Sequence, residues 1–316
     1  MSKMWIICAI VLVILGVTLF SMALAGYNWD FTKLSTVKYE TNTHQINEVF
    51  NDISIKTDTS DVVFAASSDG ICKVVCDETE KIKHSVTVVD STLTINLLDE
   101  RKWYEYIGIN FRSTKITVYL PDAEYNKLFI KESTGDIEIP KDFKFESIDI
   151  SASTGDVKNF ASASDLIKIK ASTGSIKVEG VSAETLDLSV STGKITASGI
   201  NCGHIKTKVS TGKTSLTDIS CANVISSGDT GEITLKNVIA TEKFSIERST
   251  GNVKFDGCDA SEIFVKTDTG DVKGSLLSDK VFITESDTGS INVPKTVAGG
   301  RCEITTDTGD IKINIQ

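Results

Sequence analysis

Apolar and polar residues alternate in short runs along most of the chain. In two examples, Ile167 and Ile169 flank a lysine, and Leu186 and Leu188 flank an aspartate. A spacing of two gives a β-strand one apolar and one polar face, whereas an amphipathic helix needs apolar residues three and four positions apart. The apolar positions are rich in Ile and Val, which favour strands. The pattern therefore predicts strands that bury one face and expose the other.

A fixed period connects these runs. A small or acidic residue followed by Thr and Gly occurs ten times, and successive glycines are 19 or 20 residues apart. The ten pairs are Thr134-Gly135, Thr154-Gly155, Thr173-Gly174, Thr192-Gly193, Thr211-Gly212, Thr230-Gly231, Thr250-Gly251, Thr269-Gly270, Thr288-Gly289 and Thr308-Gly309. Such a period is typical of a solenoid, whose coils bury their apolar sides by stacking on one another. We predict an all-β fold, a single-stranded parallel β-solenoid of about ten 19–20-residue coils at residues 126–316.

The Thr-Gly pairs have a structural interpretation as turns. Each glycine is predicted to lie at a corner that needs positive φ or a close approach of the backbone. The threonine before it suits a strand end, and its hydroxyl can hydrogen-bond along the stack. Pro140 and Pro294 both lie five residues after their glycine, which indicates a second corner in each coil.

The segment at residues 46–125 is less regular and is interpreted as opening coils with a cap. Residues 53–62 resemble a degenerate coil in which Ser60 takes the place of the glycine. Strand-like runs follow at His84–Val89, Thr92–Leu97 and Lys115–Leu120. A cap is expected because the end of a solenoid exposes unpaired strand edges.

An apolar run at residues 5–25 is long enough to span a bilayer as one helix. Trp5 at one end, and Tyr27 and Trp29 at the other, fit an aromatic belt. We predict that residues 1–26 form a transmembrane anchor, so that residues 5–25 make the membrane a partner of the protein.

Two further expectations follow from this segment. Ala-Leu-Ala at residues 23–25 fits a cleavage site, so a secretory signal peptide is the alternative. Lys3 before the span favours a single-pass protein of the cell membrane with its C-terminal part outside the cytoplasm. Polar residues at 27–45 are interpreted as a tether between the membrane and the folded part.

Net charge and cysteine spacing argue against some classes of partner and metal site. The net charge is −10 and no basic run occurs, which argues against nucleic acid as a partner. Cys202 and Cys221 are 19 residues apart, so adjacent coils would bring them within disulfide range, although both side chains would point the same way. Their redox state is left open. Cys72 and Cys76 lack the spacing of a zinc motif.

Catalysis is not expected. The three histidines, His44, His84 and His204, lie in no nucleophile or metal motif, and the short period leaves no room for long loops around a cleft. A polysaccharide-active enzyme is the remote alternative. We predict no enzyme, no cofactor and no metal site.

Calcium is the one ion for which candidates exist. Asp268, Asp287 and Asp307 each lie two residues before a glycine, so stacking would bring their carboxylates together. Aspartates at turns more often accept hydrogen bonds from nearby backbone N–H groups.

Two groups of side chains are candidates for binding a partner. Trp103, Tyr104, Tyr106 and Phe111 form an aromatic cluster in the cap region, interpreted either as a binding loop or as a plug over the end of the core. Phe264 is predicted to face outward because its neighbours in the sequence belong to the inward columns.

The chain resembles the bacterial "putative adhesin" domain, also called toast-rack. The resemblance lies in residues 115–121 (Lys-Ile-Thr-Val-Tyr-Leu-Pro), residues 128–130, and the Ser-Thr-Gly-Asp-Ile run at 133–137, and it covers about residues 45–316. It implies a β-solenoid of the cell envelope, and the N-terminal anchor fits family members from Gram-positive bacteria. It supplies no catalytic residues.

The expected function is therefore a non-catalytic, membrane-anchored binding module outside the cytoplasm. A cell-wall polymer or another envelope protein is the expected partner. An accessory or sensor protein of an envelope-stress pathway is the alternative. The strand at Ile311–Ile315 is expected to be unpaired, which would allow end-to-end self-association.

Overall fold

The computed structural model describes residues 3–26, 28–29, 38–101 and 114–316. One helix, α1 (Lys3–Gly26), precedes a fold made of strands. The N-terminal strands are β1 (Tyr39–Ile46), β2 (Asp52–Lys56), β3 (Ser60–Ala66), β4 (Cys72–Thr79), β5 (Ile82–Val89), β6 (Thr92–Asp99) and β7 (Thr114–Leu120).

The repeat region supplies the remaining strands. They are β8 (Glu124–Thr134), β9 (Ile137–Ile139), β10 (Lys144–Thr154), β11 (Val157–Asn159), β12 (Ser162–Glu179), β13 (Ser182–Thr230), β14 (Ile233–Thr250), β15 (Val253–Thr269), β16 (Val272–Leu276), β17 (Lys280–Thr288), β18 (Ile291–Asn292), β19 (Gly300–Thr308) and β20 (Ile311–Ile315).

Successive coils pair in parallel and in the register that the glycines set. Gly174 on β12 lies beside Gly193 on β13, and Ile176 lies beside Ile195. The side chains of the inward columns are buried, and Ile167 and Leu186 have no exposed surface. Lys168, between Ile167 and Ile169, faces outward. The structure confirms the predicted parallel β-solenoid.

The glycine column has two physical causes. Gly212 has a φ of 139°, and a Cβ atom built on it would lie 1.6 Å from the carbonyl oxygen of Gly193 in the coil before. Each coil is also tied to the next there, as where the Gly155 N–H donates to the Thr173 carbonyl. The threonine side chains are exposed, so the backbone makes these contacts between coils.

The second corner lies six residues after the glycine. Its residues have φ values of 50–66° in five coils: Gly180, Gly199, Asp218, Asn237 and Gly257. Gly, Asn and Asp are the residues that adopt this left-handed conformation most readily.

At the N-terminal end the order of coils in space differs from their order in the chain. The coil of β2 and β3 lies between the coil of β8 and β9 and that of β6 and β7. Thr59 pairs with Thr134, which aligns Ser60 with the glycine column. Antiparallel strands then close the end, with β5 on β6, β4 on β7, and β1 on β4.

The predicted tether at residues 27–45 is wrong from Tyr39 onward. Residues Tyr39–Ile46 form β1, whose eight residues all pair with β4. Alternate β1 side chains, Asn42 and Ile46 among them, face the cap, so this segment belongs to the folded part. Of residues 27–38, the structure describes 28, 29 and 38.

The C-terminal end also departs from chain order. The last coil, β19 and β20, lies between the coil of β15 and β16 and that of β17 and β18. Gly299 and Gly300 let the chain return between these coils, because added Cβ atoms would lie 1.8 Å from the carbonyl oxygens of Asp279 and Ser261. The expectation of an exposed final strand at Ile311–Ile315 is therefore wrong for Ile311 and Lys312, which pair with β16 on one side and β18 on the other, whereas residues 313–315 pair with β16 alone.

Candidate functional site

One outward column changes character along the rod. It consists of the residues six positions before each glycine. In the middle coils it is charged, with Asp149 and Lys168 3.3 Å apart and Asp187 next. In the C-terminal coils it carries apolar side chains, of which Ile225 is 45% and Ile283 49% exposed. Polar side chains on a strand's outer face are ordinary, so the apolar end is the informative part.

Phe264 stands in the middle of this apolar part. Its ring lies between two cations, with Lys243 Nζ 4.1 Å and the Arg301 guanidinium carbon 5.4 Å from the ring centroid. Ile263 and Val265 on either side are buried, which confirms that Phe264 faces outward. We call Ile225, Phe264, Val281 and Ile283, with Lys243 and Arg301, the outer patch.

The strand register aligns three apolar residues of the outer patch along one column, in which Ser245 and Glu303 alternate with them. Ile225 pairs with Ser245, Ser245 with Phe264, Phe264 with Glu303, and Glu303 with Ile283. Val281 and Arg301 pair on the neighbouring column. The patch therefore offers exposed apolar surface with two cations at its centre.

The aspartates next to the glycines connect neighbouring coils. The Asp156 N–H donates to Asp136 Oδ1 at 2.8 Å, and the Ser175 N–H donates to Asp156 Oδ1 at 2.8 Å. Each carboxylate thus accepts from the backbone of the next coil, the turn role expected for Asp.

The calcium candidates are brought into one column in the order Asp268, Asp307, Asp287, and all three are exposed. Within the described part of the chain, one group of side chains has ligand atoms close enough together to hold a metal ion, and it comprises Cys76, Glu78 and His84. The three aspartates are therefore not preorganised around an ion.

The comparison with protein families identifies the fold. A family model described as Toastrack DUF4097 matches residues 50–212 and again residues 198–316. The chain belongs to the toast-rack family. Together the two matches run from the first coil to the C-terminal coil, so family membership covers the rod.

Solved structures similar to this toast-rack chain are distant. They include a putative adhesin from Parabacteroides distasonis ATCC 8503, with 12% identity, a TM-score of 0.44, and coverage of 88% of this chain and 98% of that chain. A putative adhesin from Bacteroides fragilis NCTC 9343 has 16% identity, a TM-score of 0.38, and coverage of 88% and 97%. One from Parabacteroides merdae ATCC 43184 has 13% identity, a TM-score of 0.38, and coverage of 89% and 98%. None of the curated proteins compared with the chain is a significant match.

Membership of the toast-rack family fits a non-catalytic binding module. A groove of about 630 Å³ lies beside the chain's return to the last coil, and its lining includes Ala240, Ala260 and Gly300. Its carboxylate Asp259 is 2.7 Å from Lys280, whose side chain is buried. Two charged groups of the groove, Asp259 and Lys280, thus pair with each other.

Other predicted sites have separate outcomes. The aromatic candidates Trp103, Tyr104, Tyr106 and Phe111 lie outside the described residues. Cys202 and Cys221 are free and buried. The Cys221 thiol lies 3.9 Å from the Ile239 carbonyl oxygen, and the neighbouring Cys202 thiol and burial raise the pKa of Cys221.

The N-terminal helix is the second functional element. The span Met4–Gly26 is long and apolar enough to cross a membrane, and none of its most apolar window is buried in the protein. Large side chains such as Trp5 and Leu12 are mostly exposed. The finding fits a single-pass anchor or a signal sequence.

A buried polar group in the cap was not found by sequence reasoning. Cys76 and Glu78 on β4 and His84 on β5 come together inside the cap. The sequence does contain a short signal: Cys76 and Glu78 lie two positions apart on one face of β4, and His84 follows after a tight turn. Without knowledge of how β4 and β5 pack on either side of this turn, the spacing resembles no metal motif.

Proposed function

We propose that this toast-rack protein is a membrane-anchored binding module whose rod lies outside the cytoplasm and holds an envelope partner on the outer patch. The proposal is carried by one observation: the chain has an apolar helix that is not buried in the protein, and its rod has exposed apolar side chains near the end far from that helix. Soluble monomers seldom group exposed apolar side chains without a partner to cover them.

Anchoring is supported by the position of the helix. Only a short segment separates Gly26 from β1, so the rod starts close to the bilayer. The cap of β1, β4 and β5 faces that end, and the outer patch belongs to the coils at the other end. A rigid stack of coils would then carry the patch away from the membrane surface.

The chemistry of the outer patch supports a partner with both apolar and anionic groups. Phe264 and Ile283 offer apolar surface and Lys243 offers a cation, while Arg301 pairs with Glu303 at 2.5 Å. Because the protein as a whole carries −10, the Lys243 cation at Phe264 is a local exception. An anionic wall polymer or an acidic envelope protein has the complementary character.

Protease treatment of intact and wall-stripped cells tests the location. Antibody against the repeats is used to follow the membrane fraction. Loss of the repeats when protease is added outside stripped cells supports the proposal. Full protection, with the cytoplasmic face accessible only after lysis, would place the rod inside and refute the binding role in the envelope.

Photocrosslinking tests the patch. A benzophenone amino acid replaces Ile283 in one variant and Lys206, on the charged part of the same column, in the matched control. The proposal expects adducts with wall polymer or an envelope protein from position 283, and at least several-fold fewer from position 206. Equal yields at both positions would show that the apolar patch is not the contact surface.

An envelope-stress sensor remains the second candidate function. The observation that favours it is the exposed helix, whose apolar side chains could contact other membrane proteins. Crosslinks from Leu12 in the helix to a membrane protein, combined with none from Ile283, would favour this function over the first.

A further inference from the structure

The cap holds three side chains with metal-binding groups at close range. Cys76 and Glu78 alternate on the inner face of β4, and His84 faces them from β5. The sulfur, a carboxylate oxygen and an imidazole nitrogen all lie within 4.8 Å of one another. Exposure is 0% for Cys76, 1% for Glu78 and 4% for His84.

Hydrogen bonds hold the carboxylate and the imidazole in place. Glu78 Oε2 accepts from the backbone N–H of His84 at 2.7 Å and lies 3.0 Å from His84 Nδ1. Asn42 Nδ2 donates to Glu78 Oε1 at 2.7 Å. Thr57 Oγ1 lies 3.1 Å from His84 Nε2. The Thr79 hydroxyl accepts from the Ile82 N–H and fixes the turn between the strands.

Two features of this cluster are not explained by hydrogen bonding. Within the described part of the chain no lysine or arginine pairs with the buried Glu78 carboxylate, and the nearby Lys83 pairs with Glu40 at 2.7 Å instead. His44 Nε2 is buried without a hydrogen-bond partner. His44 lies on β1 opposite Val74, outside the group of ligand atoms that lie within 4.8 Å of one another.

We propose that Cys76, Glu78 and His84 bind one zinc ion in the cap. A thiolate, an imidazole and a carboxylate are ligands that Zn²⁺ accepts, whereas Ca²⁺ and Mg²⁺ require oxygen. The ion supplies the positive charge that the buried carboxylate lacks. It also joins β4 to β5, two of the strands that close the membrane end of the rod.

The surrounding hydrogen bonds fit the second shell of such a site. Metal-bound histidines and carboxylates are oriented by groups behind them. Asn42 and Thr57 occupy those positions here. The site is closed to solvent, so its role is structural and independent of the outer patch.

Metal titration of the full chain tests the site. The protein carries a histidine-free affinity tag, is purified in detergent, is stripped with a chelator, and is titrated with Zn²⁺ or Co²⁺. We expect one equivalent of Zn²⁺, and with Co²⁺ a charge-transfer absorption band from the thiolate. Cys76→Ser should abolish the band and weaken Zn²⁺ binding at least about tenfold. Cys302→Ser, which alters a buried cysteine at the other end, should leave both unchanged.

A second measurement covers the case in which Cys76→Ser fails to fold. In the wild type, Zn²⁺ should slow hydrogen exchange of peptides from β1, β4 and β5 but not of β15, whereas Mg²⁺ should have no effect. If Zn²⁺ does not bind, or if it binds equally to Cys76→Ser and protects no cap peptide, the cluster is a hydrogen-bond network only.

Discussion

Asp271 Oδ1 accepts a hydrogen bond from the backbone N–H of Asp310, 2.8 Å away, although the two residues are 39 positions apart. The same bond elsewhere joins residues 19 or 20 apart, as between Asp136 and Asp156. In turn Asp310 Oδ1 accepts from the Ser290 N–H at 3.0 Å. The doubled separation marks the place where the last coil enters between its two predecessors.

Engineered disulfides should report this order of coils. Thr305 lies between Lys266 and Glu285, paired with both. Adjacent coils place Cα atoms about 4.8 Å apart, within disulfide range, and next-nearest coils about twice as far. Lys266→Cys with Thr305→Cys should form a disulfide on mild oxidation, mapped by peptide mass spectrometry. Lys266→Cys with Glu285→Cys should not, and a disulfide there would mean that the coils stack in chain order.

Much of the fold could be predicted because the inward columns repeat. Ile167 and Ile169, for example, are buried as their spacing required. The coil order could not be predicted, because every coil offers nearly the same surface to its neighbours. The difference lies in the Gly299-Gly300 pair, which permits a backbone contact that a periodicity does not encode.

A buried arginine is a second feature that the columns did not reveal. Arg248 points into the core three positions before its glycine, and its Nη1 donates to the Val209 carbonyl at 2.8 Å. Its Nη2 donates to the Thr214 hydroxyl at 3.2 Å, which explains the one threonine in an otherwise Ile and Val column. Gly228 leaves space for the guanidinium, since a Cβ there would lie 1.9 Å from Nη1. The hydrogen bonds and the space that accommodate the buried guanidinium become visible only when three coils are stacked.

Of the candidate sites, one could be predicted from the sequence and one could not. The outward direction of Phe264 followed from alternation within one strand. The cluster of Cys76, Glu78 and His84 depends on how β4 and β5 pack in the cap, and on Asn42 of β1, which sequence reasoning placed in a tether.

Substitution of the corner glycines should separate two kinds of corner. Gly212→Ala puts a methyl group against the Gly193 carbonyl, so we expect a loss of about 3 kcal/mol or more in the free energy of unfolding. Gly180 has a φ of 66°, in the left-handed region that other residues can adopt, and nothing lies within 4 Å of its added Cβ, so Gly180→Ala should cost about 1–2 kcal/mol. Urea denaturation followed by circular dichroism measures both. Equal losses would contradict the role of the close backbone approach.

Replacement by serine should lower the stability of the protein far less at Phe264 than at Phe244. Phe264→Ser removes an outward ring, so its cost should stay within about 1 kcal/mol, the worth of its cation–π contacts. Phe244 is fully buried and stacked on Phe255 at 6.2 Å, so Phe244→Ser should cost about 3–5 kcal/mol. Thermal unfolding compares the two. Failure of Phe264→Ser to fold would show that the ring supports the core.

Self-association, if it occurs end to end, should use β17 rather than β20. Among the strands that the structure describes, β17 pairs with β19 alone, and it exposes Val281 and Ile283. Lysines on an edge strand prevent strand pairing between molecules. Val281→Lys with Ile283→Lys should therefore abolish concentration-dependent association in sedimentation, and Ile225→Lys, away from the edge, should not. A wild type that is monomeric at all concentrations would remove this mode of assembly.

The pH dependence of the rod's stability should depend on Glu132. This side chain is 3% exposed inside the first regular coil, and burial, reinforced by the neighbouring Asp61, raises its pKa from 4.5 to about 8. Between these values the folded chain holds a proton that the unfolded chain has released, so stability falls as pH rises. The full effect, present above pH 8, is on the order of 4–5 kcal/mol.

Glu132→Gln keeps the shape of the protonated side chain and removes its titration. The variant should match the wild type near pH 4.5 and become increasingly more stable than it up to pH 8, measured as the difference in Tm at each pH. Glu138→Gln, an exposed control in the next strand, should follow the wild type. Asp271 and Asp310 do not interfere, because hydrogen bonds from Lys273 and from the Ser290 backbone respectively lower their pKa below 3.8, and their stabilisation is lost only at more acidic pH. Since His84 titrates alike in all three proteins, a parallel pH profile for Glu132→Gln and wild type would mean that Glu132 is hydrated and ionised in the folded rod.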